Sequence, residues 1–350
     1  VPETPDAIDR FTGHLPEAAR LRALRPRLRA HQQRAHDVLF TGPGALPEAR
    51  TAAHAVAAEH RHAAARDHYA DLLGVPPAGG TAARRRADAA VAHARRLTAA
   101  PWTASGTDIA DLRAAGFSDA EIVTLSQSIG FVNQQLQLAA ALRLLATGRP
   151  AEGPSATVAG GARFTTDVLT WQPAVRPLAA EELSEEHRRA LAGKRADSPY
   201  FRTLGHDLGI LAERTAIDLA AFTAEGGLPR AERELAATAV SLHNGCVYCV
   251  SVHARLAGRL GGDPEAVARL LAHGSRAVIG RRGALVVRLA AGLAPVPLTA
   301  NGADVAALRD AGLSDLELVD LVHCAAFFAW ANRLMLSLGT HRGPTAGEAA

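Results

Sequence analysis

The chain has 350 residues, 48% of them hydrophobic, and carries 38 Lys and Arg against 35 Asp and Glu, a net charge of +3. That length exceeds one typical helical domain and is apolar enough to bury one large core or two modest ones. The near-balanced charge, spread along helices with acidic neighbours, gives no nucleic-acid footprint. Three cysteines cannot build a disulfide framework, so the chain is expected in a reducing compartment, the cytoplasm, with its thiols catalytic, metal-bound or buried.

The first 25 residues lack the apolar core of a signal peptide and are interrupted by Pro2, Pro5 and Pro16. Leu46 to Gly74 reads as helices carrying His54, His60, His62 and His68. With His60 and His62 on different faces of one helix, these read as a solvated polar face and not as metal ligands. Arg85-Arg86, and later Arg281-Arg282, each open a helical pattern and read as solvated helix faces.

Asp108 to Leu125 and Asp304 to Leu321 are identical at eleven of eighteen positions at a constant shift of 196 residues. The match runs back through Leu97/Leu293, Pro101/Pro297, Thr103/Thr299 and Gly106/Gly302, and forward to Phe131/Phe327. A period that long indicates a duplicated domain and not a solenoid. Within each copy Gly116 or Gly312 ends one helix, and Ser118 with Glu121, or Ser314 with Glu317, forms a capping box opening the next. Thr147 to Gly161, rich in Gly, Pro, Ser and Thr, reads as the linker, which divides the chain near Ser155 into modules 1–155 and 156–350. Apolar residues elsewhere recur at three and four, as in Leu208, Leu211, Thr215, Leu219 and Phe222, and the fold class expected is all-α.

Residues 228–258, LPRAERELAATAVSLHNGCVYCVSVHARLAG, break at His243-Asn244-Gly245, and a second helix is expected to start around Cys246 with Asn244 as its cap. Cys246 would then lie in the first turn, where free amides favour a thiolate. Cys246, Cys249 and His253 are spaced by three and four and share one helical face. An imidazole one turn from Cys249 can take and return a proton if a partner fixes its tautomer. Glu234 is the candidate partner; it heads a polar stripe with Thr238 and Ser241 that is expected to face a site or water, although an ordinary solvated carboxylate fits the composition equally well. A zinc site of Cys246, Cys249 and His253, with His243 or Glu234 as fourth ligand, is the rival reading, but it lacks a second ligand pair from a separate turn.

The combination of a carboxylate, Cys-x-x-Cys twelve residues on, and His four after the second cysteine resembles the AhpD-like, or carboxymuconolactone decarboxylase, superfamily, in its peroxidase-related branch over about Phe164 to Gly339. The resemblance implies an all-helical fold, no cofactor and no metal. By it, Cys249 is the peroxidatic thiol, Cys246 the resolving one, His253 the proton shuttle and Glu234 its orienting partner, with Tyr248, Ser241 and Asn244 as accessory residues. It implies a hydroperoxide substrate and a dithiol reductant, either a lipoyl or a thioredoxin-like protein. Tyr248 stands where the alkylhydroperoxidase pattern has a histidine, which motivates a second reading as a disulfide oxidoreductase. A third reading is an assembly or binding module whose cysteines sense oxidation without turnover. Decarboxylases of the superfamily lack the dithiol.

In the first copy His68 corresponds to His253 at a shift near 185, with no cysteines beside it, so this module reads as a non-catalytic scaffold. The stretch 321–338 is strongly apolar but holds His323, Asn332 and Arg333, so it suits a buried helix better than a membrane span. Cys324 within it reads as an inert core residue. A helix apolar all round needs cover on every side, from which a homo-oligomer is expected, and the family resemblance, whose members form trimers or hexamers, implies a trimer.

Overall fold

The computed structural model describes residues 6–74, 80–149, 162–191, 193–261 and 263–343. The first half runs α1 (Ala7–Phe11), α2 (Pro16–Ala23), α3 (Pro26–His36), a π-helical turn at Asp37–Thr41, α4 (Pro47–Glu59), α5 (Ala63–Leu73), α6 (Thr81–Ala99), α7 (Gly106–Ala114) and α8 (Asp119–Thr147). The second half holds α9 (Glu185–Leu191), α10 (Pro199–Leu204), α11 (Leu208–Thr223), α12 (Arg230–His243), α13 (Val247–Gly261), α14 (Pro264–His273), α15 (Arg281–Leu293), α16 (Gly302–Asp310) and α17 (Asp315–Ser337). The fold is all-α apart from one antiparallel pair, β1 (Thr170–Pro173) with β2 (Gly339–Arg342). That pair was not anticipated, since neither strand carries a β-rich pattern. Gly339 permits it: a Cβ there would fall 2.3 Å from the Trp171 ring. Among the described residues no helix is long and apolar enough to cross a membrane.

The repeated sequence builds repeated local structure. Both capping boxes form, Ser118 with Glu121 and Ser314 with Glu317, and Gly116 and Gly312 adopt positive φ of 98° and 87°. Arg113 pairs with Asp119 and Arg309 with Asp315, again 196 residues apart. Of the arginines expected on solvated faces, Arg85 and Arg281 are exposed, but Arg86 and Arg282 are drawn inward. Arg86 bridges Glu48 and Glu121 and lies 4.0 Å over the Phe117 ring, and Arg282 bridges Glu232 and Glu317. A guanidinium offers enough donors to tie two helix starts together, which a helical-wheel reading of one segment does not reveal.

One continuous apolar core includes residues of both halves. Its centre is the packing of α8 against α17, where Phe131 meets Trp330 edge to face at 5.1 Å. Gly130 makes the close approach possible, because a Cβ there would stand 2.4 Å from Trp330 Cδ1. In this arrangement Ala325–Leu334 is buried on all sides within one chain, so covering this helix does not itself require a second chain. The boundary expected near Ser155 and most of its linker lie outside the described residues.

The first-copy histidines are also not a solvated face. His60 ends α4 and His62 caps α5, so they are not on one helix; His60 Nε2 lies 3.0 Å from Asn133 Oδ1 and His62 Nε2 lies 3.0 Å from Phe11 O. His68 meets His36 with their Nε2 atoms 3.0 Å apart.

Candidate active site at the Cys246–Cys249 dithiol

The end of α12 and the start of α13 place the two sulfurs. Gly245 turns the chain at a φ of 68°, which a residue with a Cβ adopts at a cost, and the Cys246 N–H reaches back to Ser241 O at 3.0 Å. Cys246 stands just before α13, and its carbonyl accepts from the Val250 N–H at 3.0 Å. The expected cap is therefore misplaced by two residues. Asn244 closes α12 instead, and its Nδ2 donates to Asn332 Oδ1 on α17 at 3.0 Å.

The Cys246 and Cys249 sulfurs are 2.9 Å apart and both thiols are buried. Burial, and then the neighbouring Cys249 sulfur, push the Cys246 thiol well above its ordinary pKa, against a smaller opposing pull from the Cys249 N–H and the Asn332 side chain. This reverses the expectation for Cys246: burial holds it as a thiol and not as a thiolate, even with the Cys249 N–H against its sulfur. Cys324 is buried elsewhere, with its sulfur 3.5 Å from Ala221 O.

Glu234 is completely buried and uses both oxygens. His253 Nδ1 lies 2.5 Å from Oε2, and Arg230 donates to Oε1 at 2.6 Å. Burial alone would raise this carboxyl; the His253 hydrogen bond and charge, followed by Arg230, outweigh it and hold the group below the usual carboxylate value. Glu234 is thus not the solvated carboxylate that composition allowed. The His253 ring meets Phe328 edge to face at 4.5 Å and Phe222 at a tilt at 6.2 Å, and it keeps part of its surface open. Among the described residues no hydrogen bond joins this ring to either sulfur, so a molecule or water between them must carry any proton.

The polar stripe divides. Thr238 turns back to Glu234 O at 2.8 Å and faces neither site nor water, whereas Ser241 accepts from Asn332 Nδ2 at 3.0 Å while donating to Ala237 O. Asn332 therefore links Ser241, Asn244 and the Cys246 thiol. Sequence reasoning missed it as a site residue, and the signal was one amide inside an apolar helix. Phe222 and Phe328 were missed because only the fold brings α11 and α17 to His253, whereas Arg230 lies on α12 four residues before Glu234, a spacing that could have found it. Tyr248 is half-buried, and burial raises its phenol pKa. Among the described residues no three His, Cys, Asp or Glu side chains are grouped to hold a metal. Glu234 and His253 engage each other, and His243 lines a separate hollow near Arg288, so the four ligands of the zinc reading do not converge.

A cleft of about 840 Å³ opens beside Cys246, with Tyr248, Trp171 and Met335 among its walls.

Residues 210–290, from α11 into α15, match the carboxymuconolactone decarboxylase family. The matched stretch, less than a quarter of the chain, contains Glu234, Cys246, Cys249 and His253 together. A crystal structure from Ralstonia eutropha JMP134, described as an alkylhydroperoxidase AhpD core and uncharacterized peroxidase-related protein, is 23% identical to this chain, covering 49% of it and 90% of its own chain with a TM-score of 0.42. No curated protein matches the sequence.

Proposed function

We propose that the protein is a thiol-dependent peroxidase acting on organic hydroperoxides through Cys249 and Cys246. The observation that carries this reading is the pair of sulfurs at 2.9 Å with His253 one turn further along α13, held there by the buried Glu234 of α12. A decarboxylation reading of the family name leaves this dithiol without a task.

Cys249, as thiolate, attacks the distal oxygen of the hydroperoxide; the O–O bond breaks, and Cys249 becomes a sulfenic acid. The leaving alkoxide takes a proton from His253, whose Nδ1 is held by the Glu234 carboxylate so that Nε2 faces the exchange of protons. Cys246 then attacks the sulfenic sulfur, the disulfide forms and water leaves. In sum, one hydroperoxide and two thiols give an alcohol, water and a disulfide. The raised Cys246 thiol suits the second role, because it does not compete as the first nucleophile. An external dithiol, on a lipoyl or thioredoxin-like protein, reduces the disulfide, which places the enzyme in a reducing compartment such as the cytoplasm.

Intact mass after one equivalent of an organic hydroperoxide tests this. The expected loss is about two daltons, with Cys249→Ser inert and Cys246→Ser trapping a sulfenic acid that dimedone labels. Labelling on Cys246 in the Cys249→Ser protein reverses the roles. Turnover with excess peroxide and a generic dithiol separates enzyme from sensor, since a sensor stops after one oxidation. The half-buried Tyr248 beside the cleft favours a second reading, exchange with a disulfide substrate, which the same assay distinguishes by supplying a disulfide in place of peroxide.

A further inference from the structure

The cleft beside Cys246 is not made by the dithiol module alone. One wall is the turn before α13 and the start of that helix, Gly245–Tyr248; a second is the β1–β2 pair with Trp171; the third is Trp102, Ser105 and Gly106, which belong to the first sequence copy, 144 to 140 positions before Cys246 (246 − 102 and 246 − 106). Those residues are positioned by their own copy: Pro101 starts a short 3-10 turn after α6, and Ser105 with Asp108 forms the capping box that opens α7. A cysteine-free copy is thereby brought to the cleft beside Cys246, the sulfur that lines it.

We propose that the first copy completes the substrate site, with Trp102 as its specificity-determining wall, and that the cleft takes an organic molecule with a flat apolar body and an anionic group. This rests on the dithiol reading of Cys246 and Cys249 but not on peroxide being the oxidant. A volume of about 840 Å³ is that of a site for a drug-sized ligand and far exceeds what hydrogen peroxide fills. Trp102, Trp171, Tyr248 and Met335 supply apolar and aromatic surface, suited to stacking. Arg163 and His341 stand exposed at the rim, and no Asp or Glu is among the described residues that line the cleft, so the charge it complements is negative.

Aromatic disulfide exchange tests the site without peroxide. The reduced full-length protein is mixed with 5,5′-dithiobis(2-nitrobenzoate), an aromatic dicarboxylate disulfide. A protein thiolate displaces one thionitrobenzoate to form a mixed disulfide, and the second thiolate displaces the other as the Cys246–Cys249 disulfide closes. Small, neutral 2-hydroxyethyl disulfide serves as the reference. Trp102→Ala should slow the aromatic reaction by about tenfold, the scale for losing an apolar pocket contact, while leaving the small disulfide within about twofold. Gly106→Leu gives an independent arm, because a Cβ there meets nothing within 4 Å and so intrudes on the cleft without straining the helix start. It should likewise slow only the aromatic reagent. The double variant Arg163→Ala, His341→Ala should lower the preference for the dianionic reagent over dicationic cystamine. Equal effects on large and small disulfides, or none, overturn the role of the first copy, and an unchanged charge preference overturns the anionic class. A wild-type protein that discriminates among disulfides yet consumes no hydroperoxide would refute the peroxidase reading and leave this inference standing.

Discussion

Gln137 donates to the carbonyl of Ala294 at 2.7 Å, and Arg333, 196 residues later, donates to the carbonyl of Thr98 at 3.1 Å, which itself lies 196 residues before Ala294. Each long helix thus reaches to the position in the other half that the 196-residue shift makes equivalent. The relationship explains why α8 and α17 pack as they do: each is the other's cover. It also explains how a copy without cysteines comes to border the dithiol cleft, since the turn after α6 is carried there by the docking.

The two reaching residues differ in cost. Arg333 is buried, with Nε unpartnered and, among the described residues, no carboxylate paired with it, and burial lowers its pKa to about 9. Gln137 performs the equivalent contact without a charge. A buried ion lacking a counter-ion destabilises the folded state, and a neutral residue of similar shape relieves that. Arg333→Gln should therefore raise the thermal midpoint by about 2 °C or more. A fall in the midpoint would show that the guanidinium contributes more than its desolvation costs.

Gly130→Ala should act in the opposite sense. The added Cβ would meet Trp330 Cδ1 at 2.4 Å in the middle of the α8–α17 contact, where neither backbone can withdraw without opening the core. A loss of about 1–3 kcal/mol is expected, the range for overpacking a core, read from urea unfolding monitored by tryptophan fluorescence. Stability equal to wild type would mean that the two helices slide freely past each other.

Much of this was legible in the sequence and some was not, for physical reasons. The helix ends were written in local chemistry: Gly116, Ser118 and Glu121 do in the fold what their types require, and so do Gly312, Ser314 and Glu317. The Glu234–His253 contact was reachable because the spacing of a recognised motif encodes it. Asn244 was misassigned because its amide serves a residue 88 positions away on α17, and no local rule sees that partner. Arg86 and Arg282 read as surface because a helix pattern shows which face a residue takes and not what stands opposite. The β1–β2 pair depends on Gly339 admitting the Trp171 ring, a tertiary fit with no period in the chain.

Glu234→Gln tests the proton relay. The amide keeps the size of the carboxylate but cannot hold a positive His253 or fix its tautomer as strongly, so peroxide turnover should fall by about a hundredfold with the fold retained. The Glu234 carboxyl is held below its ordinary value by His253 and Arg230, against its burial. Its contribution to stability is therefore present above the ordinary carboxylate value and is lost as pH falls through the lowered one. Wild type should lose this increment in acid and Glu234→Gln should not. An unchanged rate constant would return Glu234 to a structural role.

Acid unfolding should begin before most carboxylates are protonated, because of histidines that full or partial burial keeps uncharged. Burial, as the main cause, lowers His60 and His323 to about 3 and His68, His93 and His243 to about 4, from 6.5. Below that ordinary value the unfolded chain takes up protons at these positions and the folded chain does not. The stability they leave intact at neutral pH is thus present above about 6.5 and is lost as pH falls toward the lowered values. Each fully buried histidine adds a slope of up to about 1.4 kcal/mol per pH unit in that window. Carboxylates, with ordinary values near 4, contribute little until its lower end, so urea midpoints measured between pH 7 and pH 5 isolate the histidines. His323→Gln, which keeps a hydrogen-bonding group for Gln32 without a titrating ring, should flatten part of the slope. A midpoint that is constant from pH 7 to pH 5 would show that these rings are protonated in the folded chain and that the cavities around them admit water.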